Sequence, residues 1–220
     1  MNARRPDPMP GSLEAAKVKT GKPRGPYALR QRRVRPRIFG EPVFEAELTD
    51  ISEGVAIHTI AYRAWCQLLT AAEADDVDTG LLAVHSGYRS VAFQRQIFDY
   101  WVEERRKARA ERGAAPLPLR ELQKRQRKWT AAPGTSAHHT GLALDFKLYT
   151  LGKRAARRTP TYAWLATHAH TFGFYPYFPE AWHWEYNPPG LVVRLRELRE
   201  AMSQGRPYTA LLDPLAIVSL

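Results

Sequence analysis

Two short segments of alternating apolar and polar residues constrain this chain more than any other feature of its sequence. Residues 141–149 place leucines and a phenylalanine on one face and Asp145 on the other, as a half-buried strand does. Residues 182–186 alternate in the same way, with three aromatic side chains on one face and His183 on the other. The pattern therefore predicts two strands that hold Asp145 and His183 on rigid backbone.

A metal site is the chemistry that these residue types favour. His138 lies seven residues before Asp145 with Gly141 between them, so a loop can bring its imidazole over the start of the Asp145 strand. Together with His183, two imidazoles and a carboxylate give zinc a tetrahedral site with one open position. An open position is typical of a catalytic site, and we expect one Zn²⁺ per chain. The proline and aromatics around His183 disfavour the helical arrangement in which two histidines share a face.

Two further residues could supply what hydrolysis at zinc requires. Attack on an amide needs a base and then a proton for the leaving amine, and Glu180, three residues before His183, is the candidate for both roles. The developing oxyanion needs a positive partner. Arg89 lies in a glycine turn beside a predicted helix N-terminus, where it could also hold a substrate carboxylate. Each residue alone has a simpler structural interpretation, so it is the combination that indicates a site.

Two ionisable residues lie close in sequence to the predicted ligands. His139 follows His138 directly, and alternation along the backbone points it towards solvent and away from a fourth ligand position. Glu185 follows His183 by two residues and therefore shares its face. It either supports that ligand from behind or is simply exposed, and the sequence leaves both interpretations open.

Several other elements follow from helical spacing, apolar runs and capping residues. They are a helix over 55–75, a strand over 81–84, a long helix that begins near Val91 with Ser90 as its N-cap, a basic helix over 120–128, and a helix over 161–171 closed by Gly173.

The net charge of +11 is concentrated in two regions. Residues 1–40 hold eleven Lys and Arg against two acids, a balance of +9, and residues 101–129 hold ten against four, a balance of +6. The remainder therefore carries −4. We predict a basic flexible arm over 1–40 and a peptidase domain over 41–220, with its core at 50–190 and a helical insert at 101–129.

Composition excludes some classes of protein and leaves the compartment open. Cys66 is the single cysteine, so a thiolate metal cluster and an intramolecular disulfide are excluded. We see no apolar stretch long enough to span a membrane and no apolar segment typical of a signal peptide. The localisation stays unknown on this basis.

Three ordered motifs resemble one known family. They are Ser86-Gly-Tyr-Arg-Ser90 followed by Gln94, Ser-x-His-x-x-Gly-x-x-x-Asp at 136–145, and Glu-x-Trp-His at 180–183. Together they resemble the zinc D-alanyl-D-alanine carboxypeptidases of the VanY type, which belong to a wider group with lysostaphin-like enzymes and hedgehog domains. The resemblance covers roughly residues 50–190.

The resemblance implies a fold, an activity and a set of site residues. The fold would be α+β, with a small antiparallel sheet carrying the zinc site and helices packed on one side, here with a basic helical hairpin inserted. The activity would be removal of the terminal D-alanine from peptidoglycan stem peptides, which places the substrate in the cell envelope. The implied residues are the zinc ligands His138, Asp145 and His183, the general base Glu180, and the substrate-binding or transition-state residues Arg89, Ser136, Gln94 and Trp182.

Other functions remain open at this level. The same scaffold could cut an L-alanyl-D-glutamate bond or release a D-alanyl-D-alanine dipeptide. A hypothesis of a different class is a basic cell-wall or nucleic-acid binding protein whose metal is structural. For the basic arm, we favour an anionic cell-wall polymer over nucleic acid, because the charge lies outside the catalytic part and no DNA-binding motif is found.

Overall fold

A computed structural model of the chain describes residues 32–39 and 45–214. Within them, six strands form a two-stranded hairpin and a four-stranded antiparallel sheet of order β3-β4-β6-β5. The strands are β1 Leu48–Ser52, β2 Val55–His58, β3 Val84–Ser86, β4 Ala143–Phe146, β5 Phe174–Pro176 and β6 His183–Tyr186. The helices are α1 Pro36–Phe39, α2 Thr59–Ala74, α3 Val91–Glu111, α4 Leu119–Gln126, α5 Gly152–Ala156, α6 Pro160–His168 and α7 Leu191–Ser203. The α+β prediction is confirmed.

The two central strands are buried along their whole length. Leu144 pairs with Trp184 across the β4–β6 ladder, and both side chains lie in the main hydrophobic core. The predicted strand over 141–149 is shorter than expected, because a 3-10 helix begins at Lys147 and continues to Leu151. Asp145 and His183 nevertheless lie on neighbouring strands, as the alternation predicts.

The first predicted helix begins later than its apolar spacing suggests. Val55–His58 forms β2, which pairs with β1, and the helix starts only at Thr59. His58 ends the strand and caps the helix, since its Nδ1 accepts a hydrogen bond from the backbone N–H of Ile60 at 3.2 Å. The predicted strand over 81–84 is also displaced. Those residues end a 3-10 helix at Thr79–Leu82, and the strand is Val84–Ser86.

The two charged helices α3 and α4 pack against each other, and we call them together the hairpin (residues 91–126). Ser90 is the predicted N-cap, and its Oγ accepts from the N–H of Phe93 at 3.1 Å. Phe98, Val102 and Leu122 form a small core of their own, separate from the main one. The hairpin is therefore a satellite that stabilises itself by local packing.

The helix predicted over 161–171 is confirmed as α6, which continues as a 3-10 helix over Ala169–Phe172 and ends at Gly173. Helix α7 was not predicted. It buries Leu191, Leu195 and Leu198 against the main core. The described residues contain no helix that is both long enough and apolar enough to cross a membrane.

Residues 32–39 fall within the predicted basic arm, and we call this segment the strap. It packs on the domain, because Val34 and Phe39 are only 2% and 4% exposed and belong to the main core. Arg199 of α7 donates a hydrogen bond to the carbonyl of Phe39 at 2.6 Å. Residues 1–31 and 40–44 lie outside the described part of the chain, and the domain boundary at residue 40 stays a prediction.

Candidate metal centre and substrate cleft

The three predicted metal ligands meet on the four-stranded sheet. Asp145 of β4 pairs with His183 of β6, and His138 comes from the 3-10 helix over 137–140 that precedes β4. All three are buried, and their ligand atoms lie within 4.8 Å of one another. Asp145 is central: its Oδ1 lies 2.8 Å from His183 Nδ1 and its Oδ2 lies 3.2 Å from His138 Nε2. We call these three residues the metal cluster.

Each imidazole of the cluster is oriented from behind by an acceptor. His138 Nδ1 lies 2.7 Å from the carbonyl oxygen of Gly87, and His183 Nε2 lies 3.0 Å from Oε1 of Glu185. The opposite nitrogen of each ring is thereby turned towards Asp145, which is how histidine ligands of metals are usually held. A set of two histidines and one aspartate, buried and oriented in this way, fits Zn²⁺.

The electrostatics of the cluster also favour a cation. Burial alone would lower the pKa of His183, but Asp145 and Glu185 outweigh burial and raise this pKa to about 9. Burial alone would raise the pKa of Asp145, yet the two imidazoles hold it well below its usual range. For His138, burial lowers the pKa. The carboxylates of Asp145 and Glu185 therefore favour positive charge at this site, as they would beside a bound metal ion.

The Ser86–Ser90 turn brings Arg89 to the cluster. Gly87 is required there, since a Cβ atom would lie 2.2 Å from the carbonyl oxygen of Ala56 on β2. The backbone N–H of Arg89 donates to the carbonyl of His138 at 3.1 Å. The guanidinium Nη2 of Arg89 lies 2.8 Å from Asp145 Oδ2 and 2.9 Å from His138 Nε2. The turn thus fixes a positive group at the edge of the cluster.

Glu180 lines the same cleft as His138 and His183. Its side chain is half-buried, and burial raises the pKa of its carboxyl group, with a further contribution from the charge of Asp145. His183, Trp182 and Arg89 oppose that rise without cancelling it. A raised pKa makes a carboxyl group a better proton acceptor, which general acid–base catalysis requires.

The three residues predicted to line a peptide site all border this cleft. Two of them also have structural hydrogen bonds. Ser136 Oγ accepts from the N–H of His138 at 3.4 Å, and Gln94 donates from Nε2 to the carbonyl of Ala131 at 2.8 Å. The Gln94 side-chain oxygen lies 3.4 Å from Nη1 of Arg89. Trp182 is half-buried on the cleft wall.

His139 does not face solvent, so that prediction is wrong. The residue is 1% exposed. Its Nδ1 lies 2.7 Å from the carbonyl oxygen of Arg89, and its Nε2 accepts from the N–H of Gly134 at 3.0 Å. The 3-10 geometry of residues 137–140 replaces the strand-like alternation on which the prediction depended. The ring therefore links the backbone of Arg89 to that of Gly134.

Glu185 contacts the site from behind, which decides between the two interpretations that the sequence left open. It is 1% exposed, and besides His183 it meets two groups of the strap. Arg33 Nε lies 2.8 Å from Oε1, and the backbone N–H of Val34 donates to Oε2 at 2.5 Å. The Arg33 guanidinium also stacks 3.7 Å from the ring centre of Tyr177. Sequence inspection missed Arg33 because nothing distinguishes it from the other arginines of the arm.

The sequence of the chain matches a known protein family. The D-alanyl-D-alanine carboxypeptidase (VanY) family profile matches residues 54–189. A D-alanyl-D-alanine carboxypeptidase of Enterococcus faecalis is 30% identical over 157 residues, which make up 65% of this chain and 53% of that protein. The chain thus spans about half the length of that relative.

Two solved structures are also similar. One is a mutant of the vancomycin-resistance D,D-pentapeptidase VanY in complex with Zn(II), at 25% identity and a TM-score of 0.49, covering 84% of this chain and 97% of the other. The second is VanYB in complex with D-alanine-D-alanine, at 28% identity and a TM-score of 0.48, covering 73% and 84%. Since the family profile matches well over half of the chain, the chain belongs to the VanY D-alanyl-D-alanine carboxypeptidase family.

Proposed function

We propose that this protein is a zinc-dependent D-alanyl-D-alanine carboxypeptidase that removes the terminal D-alanine from peptidoglycan stem peptides. The observation that carries the proposal is the metal cluster itself, a buried pair of oriented imidazoles around Asp145, in a chain that belongs to the VanY family. His138, Asp145 and His183 would hold the zinc ion. Bound zinc would polarise the scissile carbonyl and lower the pKa of a water molecule to about 7.

Glu180 is assigned the proton transfers. Its half-buried carboxylate takes the proton from the attacking water, and the carboxylic acid so formed then gives a proton to the leaving amine of D-alanine. The raised pKa of Glu180 supports both steps, because it reduces the cost of holding the proton between them. Its place in the cleft beside His138 and His183 supports access to the same water.

Arg89 is assigned the role of stabilising negative charge on the substrate. Its guanidinium is held at the edge of the cluster, where it can stabilise the oxyanion or pair with the terminal carboxylate of the peptide. Gln94, Ser136 and Trp182 border the cleft around it and would contact the peptide. A preference for a free carboxylate at the cleaved end is what a carboxypeptidase requires.

The size of the cleft favours a long peptide. Its volume is about 1040 Å³, at the upper end of the roughly 300–1,000 Å³ typical of sites for drug-sized ligands. A dipeptidase needs a closed pocket that excludes longer chains, and this cleft is larger than a dipeptide requires. The same site could also serve an endopeptidase. The mass of the product distinguishes the two activities.

The decisive experiment is mass spectrometry of a defined muramyl pentapeptide incubated with the purified zinc-loaded protein. We expect the loss of one alanine. Loss of a D-alanyl-D-alanine dipeptide or cleavage after L-alanine would identify one of the alternative activities. An intact substrate with zinc bound would refute the proposal and favour a binding protein with a structural metal.

Glu180→Gln tests the assignment of the base. It should lower kcat by a factor of about 10²–10⁴ while zinc binding persists. Glu53→Gln, at an exposed turn between β1 and β2, makes the same chemical change outside the cleft and should leave kcat unaltered. Equal activity of the two variants would remove Glu180 from the mechanism.

A further inference from the structure

The cleft that contains the metal cluster extends along the hairpin and the loop that follows it. Trp101 of α3 and Arg127, Lys128 and Trp129 after α4 line this wall, and Lys153 of α5 lies on the same cleft. Among the described residues, no hydrogen bond or ion pair joins them to the cluster, and the proposed hydrolysis of a terminal D-alanine does not require them. They form what we call the distal wall.

Two large aromatic side chains of the distal wall are open to solvent. Trp129 is 74% exposed and Trp101 is 49% exposed. Exposed tryptophan on one side of a cleft is costly in water and is typical of a binding surface. The indole face suits the apolar C–H face of a sugar ring, while its N–H can bond to a hydroxyl or amide.

The wall is also fixed in place. The backbone N–H of Trp129 donates to the carbonyl of Gln126 at 2.8 Å, and Gln126 is itself buried and accepts from Arg105. Two residues further on, the carbonyl of Ala131 receives the hydrogen bond of Gln94, whose other side-chain atom meets Arg89. A continuous set of contacts therefore links the distal wall to the residue beside the metal cluster.

The cations of the distal wall have no acidic partner among the described residues. Arg127, Lys128 and Lys153 are exposed, and no ion pair involving them is found in residues 32–39 and 45–214. By contrast, Arg106, Lys107 and Arg125 elsewhere on the hairpin each pair with a glutamate one turn away. The unpaired positive charge lies on the cleft.

We propose that the distal wall binds the sugar-bearing, carboxylate-bearing end of a muropeptide while its D-alanyl-D-alanine end lies at the metal cluster. A pentapeptide reaches at most about 17 Å when extended, so a sugar at its N-terminal end lies well away from the cleaved bond. The tryptophans would stack on the sugar, and the cations would pair with free carboxylates of the stem peptide. This inference rests on the proposed function and specifies its substrate.

The test compares two substrates, a muramyl pentapeptide and a short N-acetylated tripeptide that ends in D-alanyl-D-alanine. Trp129→Ala should lower the ratio of kcat/KM for the muropeptide over the tripeptide about tenfold, and Trp129→Phe should restore most of it. The double variant Arg127→Ala/Lys128→Ala should lower the same ratio. Arg120→Ala/Lys124→Ala removes equal charge from α4 away from this cleft and should not.

A ratio unchanged in Trp129→Ala, or lowered equally by both charge variants, would overturn the distal wall as a subsite. If the wild type cleaves neither substrate, the proposed function fails. The inference is then decided by calorimetric binding of the muramyl tetrapeptide to the Glu180→Gln protein. Binding that weakens with Trp129→Ala supports it, and binding that does not weaken refutes it.

The strap carries an independent inference about the metal site. Glu185 orients His183, and the strap supplies the ion pair from Arg33 and the backbone N–H of Val34 that hold Glu185. Asn187 fixes the strap in turn, because its side-chain amide donates to the carbonyls of Arg32 and Arg33 at 3.2 and 3.4 Å. A carboxylate held on both oxygens has little freedom to leave the imidazole.

We infer that Arg33 is a positioning residue for the zinc ligand His183, acting through Glu185. Loss of such outer partners typically weakens metal affinity by a factor of about 10–100. Arg33→Ala should therefore raise the zinc dissociation constant at least tenfold in a chelator competition. Arg35→Ala, which removes an exposed arginine from the same segment, should change it less than twofold.

Arg33→Lys provides the second variant, because it keeps the charge and loses the flat stacking on Tyr177. It should recover part of the affinity. Equal zinc affinity of Arg33→Ala and Arg35→Ala would refute the inference, and if Arg33→Ala does not fold, equal affinity of Arg33→Lys and Arg35→Lys would do so. A wild-type protein that binds no zinc would instead refute the proposed function.

Discussion

The strap and the hairpin are both rich in arginine and lysine, yet they use these residues in opposite ways. In the strap, Arg32 donates to the carbonyl of Asn187 at 2.6 Å and Arg33 pairs with the buried Glu185. In the hairpin, Arg106, Lys107 and Arg125 pair with glutamates on their own helix. Arg127 and Lys128, which directly follow the hairpin, line the cleft. The strap packs into the main hydrophobic core, and the hairpin is a satellite with its own small core.

This difference shows that charge density does not reveal the role of a basic segment. Both regions look like solvated or polymer-binding appendages in composition. What separates them is the kind of acceptor: Arg32 and Arg33 of the strap reach Asn187 and the buried Glu185, whereas the ion pairs of the hairpin use partly exposed glutamates on the same helix. Perturbing each region should therefore affect different properties of the protein.

The largest expected effect comes from deleting the strap. Removal of residues 1–39 exposes the sites filled by Val34 and Phe39, and we expect the free energy of unfolding to fall by about 4 kcal/mol. Zinc affinity should fall with it. Removal of residues 1–31 alone should leave both quantities near their wild-type values in urea titration and chelator competition.

Removal of residues 1–31 also tests the part of the predicted basic arm that precedes the strap. If residues 1–31 hold an anionic cell-wall polymer, their removal should weaken binding to wall sacs while hydrolysis of a small peptide persists. Equal loss of wall binding and hydrolysis would contradict a separate arm. Equal stability of the two truncated proteins would contradict the contrast between strap and arm.

A smaller effect is expected in the core of the hairpin. Leu122 is almost fully buried against Phe98 and Val102, so Leu122→Ala should destabilise the hairpin by about 2–3 kcal/mol. Hydrogen exchange should rise in α3 and α4 while zinc affinity stays within a factor of two. Leu119→Ala, at an exposed position of the same helix, is the control. A parallel loss of zinc affinity would show that the hairpin is no satellite.

Acid should loosen the anchorage of the strap by a comparable amount. Burial would raise the pKa of Glu47, but His58 and Arg199 outweigh burial and lower it from 4.5 to about 2. A carboxyl group with a lowered pKa stabilises the fold above pH 4.5, and that stability is lost as the pH falls towards 2.

Because Arg199 also binds the carbonyl of Phe39, this loss should weaken the end of the strap. We expect about 3 kcal/mol of pH-dependent stability from Glu47 between pH 4.5 and 2. Unfolding titrations at several pH values would show it as a slope that Glu47→Gln lacks. Identical slopes for the two proteins would exclude Glu47 as the source.

The smallest effect is expected at the surface of the hairpin. Glu121 and Arg125 form an exposed pair four residues apart on α4, at 3.1 Å. Such pairs contribute about 0.3–0.5 kcal/mol and are screened by salt. Arg125→Ala should shift the unfolding free energy by no more than that, with no change in zinc affinity. A larger shift would mean that the hairpin surface is coupled to the domain.

The metal cluster could be predicted because its signals are local. Alternation places Asp145 and His183 on strands, and these two residues are direct neighbours in the β4–β6 ladder. Ser90 was recognisable as a helix cap for the same reason, since the atoms involved lie within three residues. Such local patterns predict the structure correctly because no distant contact favours a different conformation at these residues.

The errors arise where distant contacts decide the structure. Val55–His58 has apolar spacing compatible with a helix, but pairing with β1 makes it a strand. His139 is buried because the Arg89 turn, fifty positions earlier, offers it a carbonyl acceptor. The strap contact between Val34 and Glu185 joins residues 151 positions apart, and no short sequence motif predicts it.

The contact between Val34 and Glu185 also affects the order in which parts of the chain fold during synthesis. The strap leaves the ribosome before Glu185 and Asn187, since Val34 precedes Glu185 by 151 positions in the chain. Closing so long a loop is slow, since its entropy cost must be met before the contact forms. A nascent chain therefore carries His138 and Asp145 without a finished zinc site. The support that the strap gives to His183 through Glu185 forms only when these two distant segments have met.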